Sequence, residues 1–117
     1  MTVRCGVELD IFSGMPNPSW VLTEPELDSF LERLAALPRR AAGELAGNLG
    51  YRGFIVQLTQ GNEVEVVSVQ RGLVQRSRGA VSVYAHDENR ELERWLVSTG
   101  RPHIENSLFQ AVERDFR

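Results

Sequence analysis

Polar and apolar residues alternate strictly near the start of the chain. Residues 3–11 read VRCGVELDI, in which the odd positions are apolar and the even positions are Arg, Gly, Glu and Asp. A period of two over this length predicts a β-strand with one buried face. We therefore expect Cys5 in the core, and Glu8 and Asp10 on the opposite, polar face.

The period changes to that of a helix in residues 21–38, VLTEPELDSFLERLAALP. Four apolar residues have the i, i+3, i+4, i+7 spacing of one helical face: Leu27, Phe30, Leu31 and Leu34. Thr23 and Glu26 are spaced as a capping box, in which each side chain accepts from the other residue's backbone N–H. Because Pro38 cannot continue a helix, we predict a helix that begins after Thr23 and ends before Pro38.

Three further segments are rich in β-branched and aromatic residues. Residues 53–59 (GFIVQLT) and 63–70 (EVEVVSVQ) flank a short loop that contains glycine, which is the pattern of a β-hairpin. Residues 80–85 (AVSVYA) follow as another strand that pairs antiparallel with its neighbours. The pattern leaves open whether residues 73–75 add a short strand of their own.

Two helices are predicted in the last third of the chain. In residues 87–100, DENRELERWLVSTG, Asp87 is placed to cap a helix and Gly100 to follow its end. Three residues form the apolar stripe of that helix: Leu92, Trp95 and Leu96. Residues 104–117 have a weaker helical pattern and predict a third helix.

These elements together predict the fold class. An antiparallel sheet has to bury its apolar face, and helices with a single apolar stripe are suited to covering it. We therefore predict an α+β fold, a two-layer sandwich in which two or three helices cover a largely antiparallel sheet of four to five strands. The expected order is β-α-β-β-β-α-α, and residues 1–117 are expected to form a single α+β domain.

Composition and charge narrow the range of functions. The formal net charge of −3 and the sequence pI near 5.4 give no reason to expect a nucleic acid or a membrane as partner. Cys5 is the single cysteine, which excludes an intrachain disulfide. The first residues do not have the pattern of a signal peptide, and no apolar run approaches the ~20 residues that cross a bilayer. We expect a soluble, cytoplasmic protein without a cofactor.

Arginines provide local positive charge in this acidic chain. Arg71, Arg76 and Arg78 lie in or beside one turn, while Arg39 and Arg40 lie elsewhere in the sequence. Such a patch can hold a phosphate or a partner's acidic segment. It can equally serve only to balance the acidic residues.

The loop FSGMPNPSW, residues 12–20, is the segment most suited to binding. Its two prolines fix two φ angles and restrict the residues before them, so the loop has little conformational entropy to lose when it binds. The residues predicted to bind a ligand are Asp10, Ser13, Met15, Asn17 and Trp20. Two alternatives remain open: Trp20 or Val21 closes over the core, and Asp10 is solvated or pairs with an arginine of a neighbouring strand, such as Arg52 or Arg71.

Three functions follow from these features. The first is a non-catalytic binding or accessory protein that uses the loop to engage a small molecule or a protein partner. The second is a small enzyme or metal-binding protein that uses Asp10, His86 and His103. The third is a homodimer formed through an exposed sheet edge or the terminal helix. The first two differ in geometry, because the second needs its three side chains to converge.

Overall fold

A computed structural model of the protein describes residues 3–11, 14–47 and 50–116. The strands are β1 (Val3–Ile11), β2 (Ser19–Val21), β3 (Arg39–Arg40), β4 (Tyr51–Gln60), β5 (Glu63–Gln70), β6 (Leu73–Arg78) and β7 (Val81–His86). The helices are α1 (Glu24–Ala35), α2 (Glu91–Gly100) and α3 (Asn106–Asp115). Two single turns of 3₁₀ helix, Glu88–Arg90 and Arg101–His103, precede and follow α2.

The seven strands of the described residues form one antiparallel sheet, in the order β2-β1-β4-β5-β6-β7-β3. The predicted α+β class is confirmed, but the sheet is larger than the four to five strands that we expected. The additional strands arise because short segments pair with the two outermost long strands. β2 pairs with β1, and β3 pairs with β7.

The register of the strands separates the sheet into a buried face and an open face. Val7, Val56 and Val67 are neighbours across β1, β4 and β5, and all three are fully buried under the helices. The next row begins with Glu8 and Ile55 and belongs to the opposite face, which no described helix covers. An antiparallel sheet can leave one face largely to solvent, and here residues 43–46 cover that face only near Gln70 and Leu73.

The first helix is built as its sequence predicts. The Thr23 hydroxyl accepts from the backbone N–H of Glu26 at 3.3 Å, and the Glu26 carboxylate accepts from the backbone N–H of Thr23 at 2.9 Å. Phe30 and Leu34 are the residues of α1 that are buried in the core. No helix in the described ranges is long and apolar enough to cross a membrane.

The second helix differs from its prediction at both ends. The Asp87 carboxylate accepts from the backbone N–H groups of Leu92 and Glu93, at 2.8 and 3.0 Å, across the intervening 3₁₀ turn. Gly100 is the last residue of α2 rather than the residue after it. A Cβ atom at Gly100 would lie 2.5 Å from the Trp20 ring, so close packing is the reason for this glycine.

Candidate functional site

The loop before β2 is held against β1 by the amide of Asn17. Its Oδ1 accepts from the backbone N–H of Ile11 at 3.2 Å, and its Nδ2 donates to the Glu8 carboxylate at 2.8 Å. The backbone carbonyl of Pro18 accepts from the N–H of Leu9 at 2.9 Å. Asn17 therefore fixes both the path of the loop and the orientation of Glu8.

The other polar residues predicted for this site are not gathered around Asn17. Asp10 forms an ion pair with Arg52, with Nη2 and Oδ1 2.9 Å apart, which confirms the alternative that it pairs with a neighbouring strand. Met15 is on the loop surface with 67% of its area exposed. Ser13, the remaining predicted residue, lies outside the described residues.

Trp20 points into the core, which is one of the alternatives that the sequence left open for this residue. Only 6% of its surface is exposed, and its indole N–H donates to the Thr99 hydroxyl at 3.2 Å. The ring stacks on His103 with centroids 5.9 Å apart and meets Phe54 edge-on at 6.2 Å. The pairing of β2 with β1 explains this placement, because Trp20 lies opposite Val7 on the buried face of the sheet.

A groove of about 340 Å³ lies beside this loop on the open face of the sheet. Its floor is at Gly6, which lies in register between Val21 of β2 and Gln57 of β4. Strands are spaced about 4.8 Å apart, so the missing side chain opens a gap one residue wide between Val21 and Gln57. No atom outside its neighbours lies within 4 Å of the position that a Gly6 Cβ would occupy.

The two ends of the groove carry opposite charges. Glu8, oriented by Asn17, lies at one end, and Arg4 lies at the other. The side chain of Arg4 is exposed and has no hydrogen bond or ion pair with another residue of the described chain. Along the strand the two Cα positions are about 13 Å apart. Val21, opposite Gly6, supplies an apolar wall between them, and Ile55 supplies another beside Glu8.

The residues of the alternative enzyme or metal site do not converge. Asp10 is on β1 and His86 ends β7, four strand intervals and about 19 Å away across the sheet. His103 stacks on Trp20 beside the edge formed by β2. Within residues 3–11, 14–47 and 50–116, no three His, Cys, Asp or Glu side chains are grouped to hold a metal ion.

Cys5 is placed where the alternation of β1 predicts, with 1% of its surface exposed. Burial raises the pKa of its thiol to about 12. Because the thiolate is the nucleophilic form, this cysteine is unreactive near neutral pH. It acts as a small apolar residue of the core.

A buried charge network, which the sequence pattern did not predict, joins the start of β4 and the turn between β5 and β6 to α2 and α3. Glu93 is fully buried and accepts from the Tyr51 hydroxyl, the backbone N–H of Arg71 at 2.8 Å and the Arg90 guanidinium at 2.8 and 3.0 Å. Arg90 and Arg71 both bind Asp115 near the end of α3. The network therefore fixes the end of α3 to the turn between β5 and β6.

The network stabilises strained backbone and has no open position for chemistry. Arg71 and Arg90 have φ angles of 43° and 58°, in the left-handed region that side chains other than glycine rarely adopt. Burial and the charge of Glu93 raise the pKa of Tyr51, so its phenol remains a hydrogen-bond donor. In the described part of the chain, no buried side-chain nitrogen or oxygen lacks a partner. We assign this network to the fold.

The three arginines that are neighbours in the sequence do not form one patch in the structure. Arg71 belongs to the network above, whereas Arg76 and Arg78 both bind the buried carboxylate of Glu65. A groove of about 260 Å³ is lined by Arg76, Arg78 and Glu65, and also by Arg39, which is distant from them in the sequence. Burial alone would raise the pKa of Glu65, but its bonds to the two arginines hold that pKa below its usual value. This groove therefore contains three guanidinium groups and one carboxylate.

Comparison of the chain with models of protein families, with curated proteins and with solved structures gave no match.

Proposed function

We propose that the protein is a non-catalytic binding domain that takes a small elongated ligand in the groove at Gly6. The main support for the proposal is that a glycine, Gly6, lies in the middle of a β-strand. A glycine inside a strand weakens the strand, by about 0.5–1 kcal/mol relative to alanine. It commonly marks a place where a ligand or another backbone approaches closely.

The fold gives no other reason for glycine at this position. The φ angle of Gly6 is outside the left-handed region, so a residue with a side chain can adopt its backbone conformation. A Cβ would meet no atom within 4 Å. Gly100 is different, because the Trp20 ring occupies the space that a side chain at this position would need. At Gly6 the space is open to solvent and available to a ligand.

The charges at the ends of the groove indicate the ligand class. A carboxylate fits Arg4, whose guanidinium has five N–H donors. A positively charged or N–H donor group fits Glu8 at the other end. The apolar walls at Val21 and Ile55 suit a hydrocarbon chain between the two groups. We therefore propose a small molecule with a carboxylate and an amine separated by an apolar stretch.

Three compounds of equal chain length test this proposal: 6-aminohexanoate, hexanoate and hexylamine. In two-dimensional NMR titrations we expect 6-aminohexanoate to bind most tightly, because it satisfies both ends of the groove. The backbone amide signals of Gly6, Val21 and Gln57 should shift and reach saturation. Arg4→Glu should weaken the binding of 6-aminohexanoate and hexanoate about threefold or more, and it should not weaken that of hexylamine, because the new carboxylate does not repel an ammonium group.

Arg114→Glu provides the matched control, since it makes the same charge change on the exposed surface of α3. It should leave all three affinities unchanged. The proposal fails if hexylamine binds as well as 6-aminohexanoate, or if the shifting signals lie away from the groove. It also fails if no compound saturates these signals at about 10 mM, a concentration at which binding is worth only about 3 kcal/mol.

The sheet edges do not favour the alternative of a homodimer formed through β2 or β3. β2 has three residues and β3 has two, and Pro18 lies directly before β2. Short edge strands and flanking prolines are the features that prevent pairing with another sheet.

A further inference from the structure

The outermost long strand of the sheet, β7, is only partly covered. β3 pairs with Tyr84 and Ala85, and the backbone N–H of His86 donates to the carbonyl of Pro38 at 2.8 Å. Residues 81–83 therefore have β6 on one side and no described strand on the other. Because antiparallel bonding alternates along a strand, the N–H and C=O groups of Ser82 point to this open side, as those of His86 point to β3.

Apolar side chains are exposed along the same segment. Val81 is 67% exposed and Val83 is 41% exposed. Both lie on the face of the sheet that carries Arg76 and Arg78, because Val81 pairs with Arg78 and Val83 with Arg76. An unpaired strand segment with exposed apolar residues is a template for another extended chain.

The charge of the adjacent groove indicates which extended chain fits. Arg39, Arg76 and Arg78 surround one carboxylate, Glu65, so the groove has an excess of two positive charges. Arg78 binds Glu65 through Nε at 3.3 Å, and 71% of its side chain is exposed. Arg39 has no ion pair with any residue that the structure describes. Both guanidinium groups can bind carboxylates of an incoming segment.

We propose that an extended acidic segment of a partner protein adds to the sheet along residues 81–83 of β7. Its backbone pairs with Ser82, and every second side chain, a glutamate or aspartate, faces Arg39 and Arg78. Main-chain hydrogen bonds give affinity in this mode of recognition, and the alternate side chains give specificity. This site is separate from the groove at Gly6, which is near the opposite edge of the sheet.

A second copy of the chain is a poorer occupant of this edge. Antiparallel pairing of β7 with its own copy, centred on Ser82, keeps the same face of both sheets on the same side. The arginines beside Val81 and Val83 would then meet the corresponding arginines of the other copy. Like charges brought together oppose such pairing, whereas an acidic segment neutralises them.

Synthetic hexapeptides that alternate threonine with a charged residue test the proposal. We expect the threonine–glutamate peptide to shift the backbone amide signals of residues 81–83 in a saturable NMR titration. The threonine–lysine peptide should bind at least about threefold more weakly, and Arg39→Glu or Arg78→Glu should weaken the glutamate peptide to a similar extent. Glutarate, a dicarboxylate without a peptide backbone, should leave these signals nearly unchanged.

Ser82→Pro tests the backbone pairing directly. Proline removes the N–H that points to the open edge, without removing a bond to β6, so binding of the glutamate peptide should be lost. Ser82→Thr retains the N–H and the hydroxyl and should bind like the parent protein. Two results with the parent protein, which do not depend on the folding of Ser82→Pro, would overturn the proposal. One is equal binding of both peptides, and the other is binding of glutarate as tightly as the glutamate peptide. A dimer in sedimentation that Ser82→Pro dissociates would also overturn it, in favour of a second copy.

Discussion

Replacing Glu93 with alanine should lower the free energy of unfolding by about 3–5 kcal/mol, the usual cost of removing one partner from a buried ion pair. Glu93→Ala leaves Arg90 and the Tyr51 hydroxyl without their buried acceptor. It also removes the acceptor for the backbone N–H of Arg71, which has a strained φ angle. Because small domains are stable by about 5–15 kcal/mol in total, the melting temperature should fall sharply. Urea denaturation followed by circular dichroism measures the change.

Glu91→Ala is the matched control for this experiment. Glu91 is also in the first turn of α2, but its side chain is exposed. Its replacement should change the free energy of unfolding by less than about 0.5 kcal/mol, as for most surface substitutions. A loss below about 1 kcal/mol for Glu93→Ala would contradict the structural role that we assign to the network.

Trp20→Ala should destabilise the protein by about 3–5 kcal/mol, the range for removing a large aromatic side chain from a core. The substitution removes the packing against Phe54 and His103 and leaves the Thr99 hydroxyl without its indole partner. Met15→Ala, in the exposed part of the same loop, should have little effect. Thermal denaturation of the two variants compares these two parts of the loop. Equal effects of the two substitutions would show that Trp20 is not a core residue.

Gly100 provides a second test of the position of Trp20. Gly100→Ala should be destabilising on its own, because the new Cβ would lie 2.5 Å from the rigid Trp20 ring, in addition to 2.8 Å from the end of the flexible Ile104 side chain. Combined with Trp20→Leu, the same change should cost less, since the clash with the ring is removed and only the contact with Ile104 remains. A double-mutant cycle measures this coupling, and additivity would show that the two residues are not in contact.

Features encoded by neighbouring residues could be predicted from the sequence. The alternation of residues 3–11 specified β1 and the buried position of Cys5, and the spacing of Thr23 and Glu26 specified the cap of α1. Both depend on periodicity or on hydrogen bonds within one turn of the chain. β2 and β3 are too short to have a detectable period. They form only because β1 and β7 provide partners, which local sequence does not reveal.

The candidate site was predictable only in part, for a similar reason. The sequence indicated the loop and offered the core as an alternative place for Trp20, which the structure confirms. It did not indicate the bond from Asn17 to Glu8 or the gap at Gly6, because both depend on strand register. Glu93 did carry a signal. It precedes Leu96 and Val97 by three and four residues, so it shares their buried helical face.

The alternation that predicted β1 also contained the evidence for the groove. Glycine is unfavourable within strands, and Gly6 occupies the middle of a strand whose other even positions are charged. Alternation alone assigned it to the polar face and gave no reason for the missing side chain. The reason we propose, a bound ligand, depends on the neighbours Val21 and Gln57 that the folded sheet supplies.

The most direct test of this account is a paired measurement on Gly6→Val: its free energy of unfolding and its affinity for 6-aminohexanoate. We predict that the variant is at least as stable as the parent protein, with a gain of about 0.5–1 kcal/mol from removing a strand glycine. We also predict that it no longer binds the compound, because valine fills the groove. A variant that is destabilised by more than about 1 kcal/mol, or that binds 6-aminohexanoate as the parent does, would contradict the account.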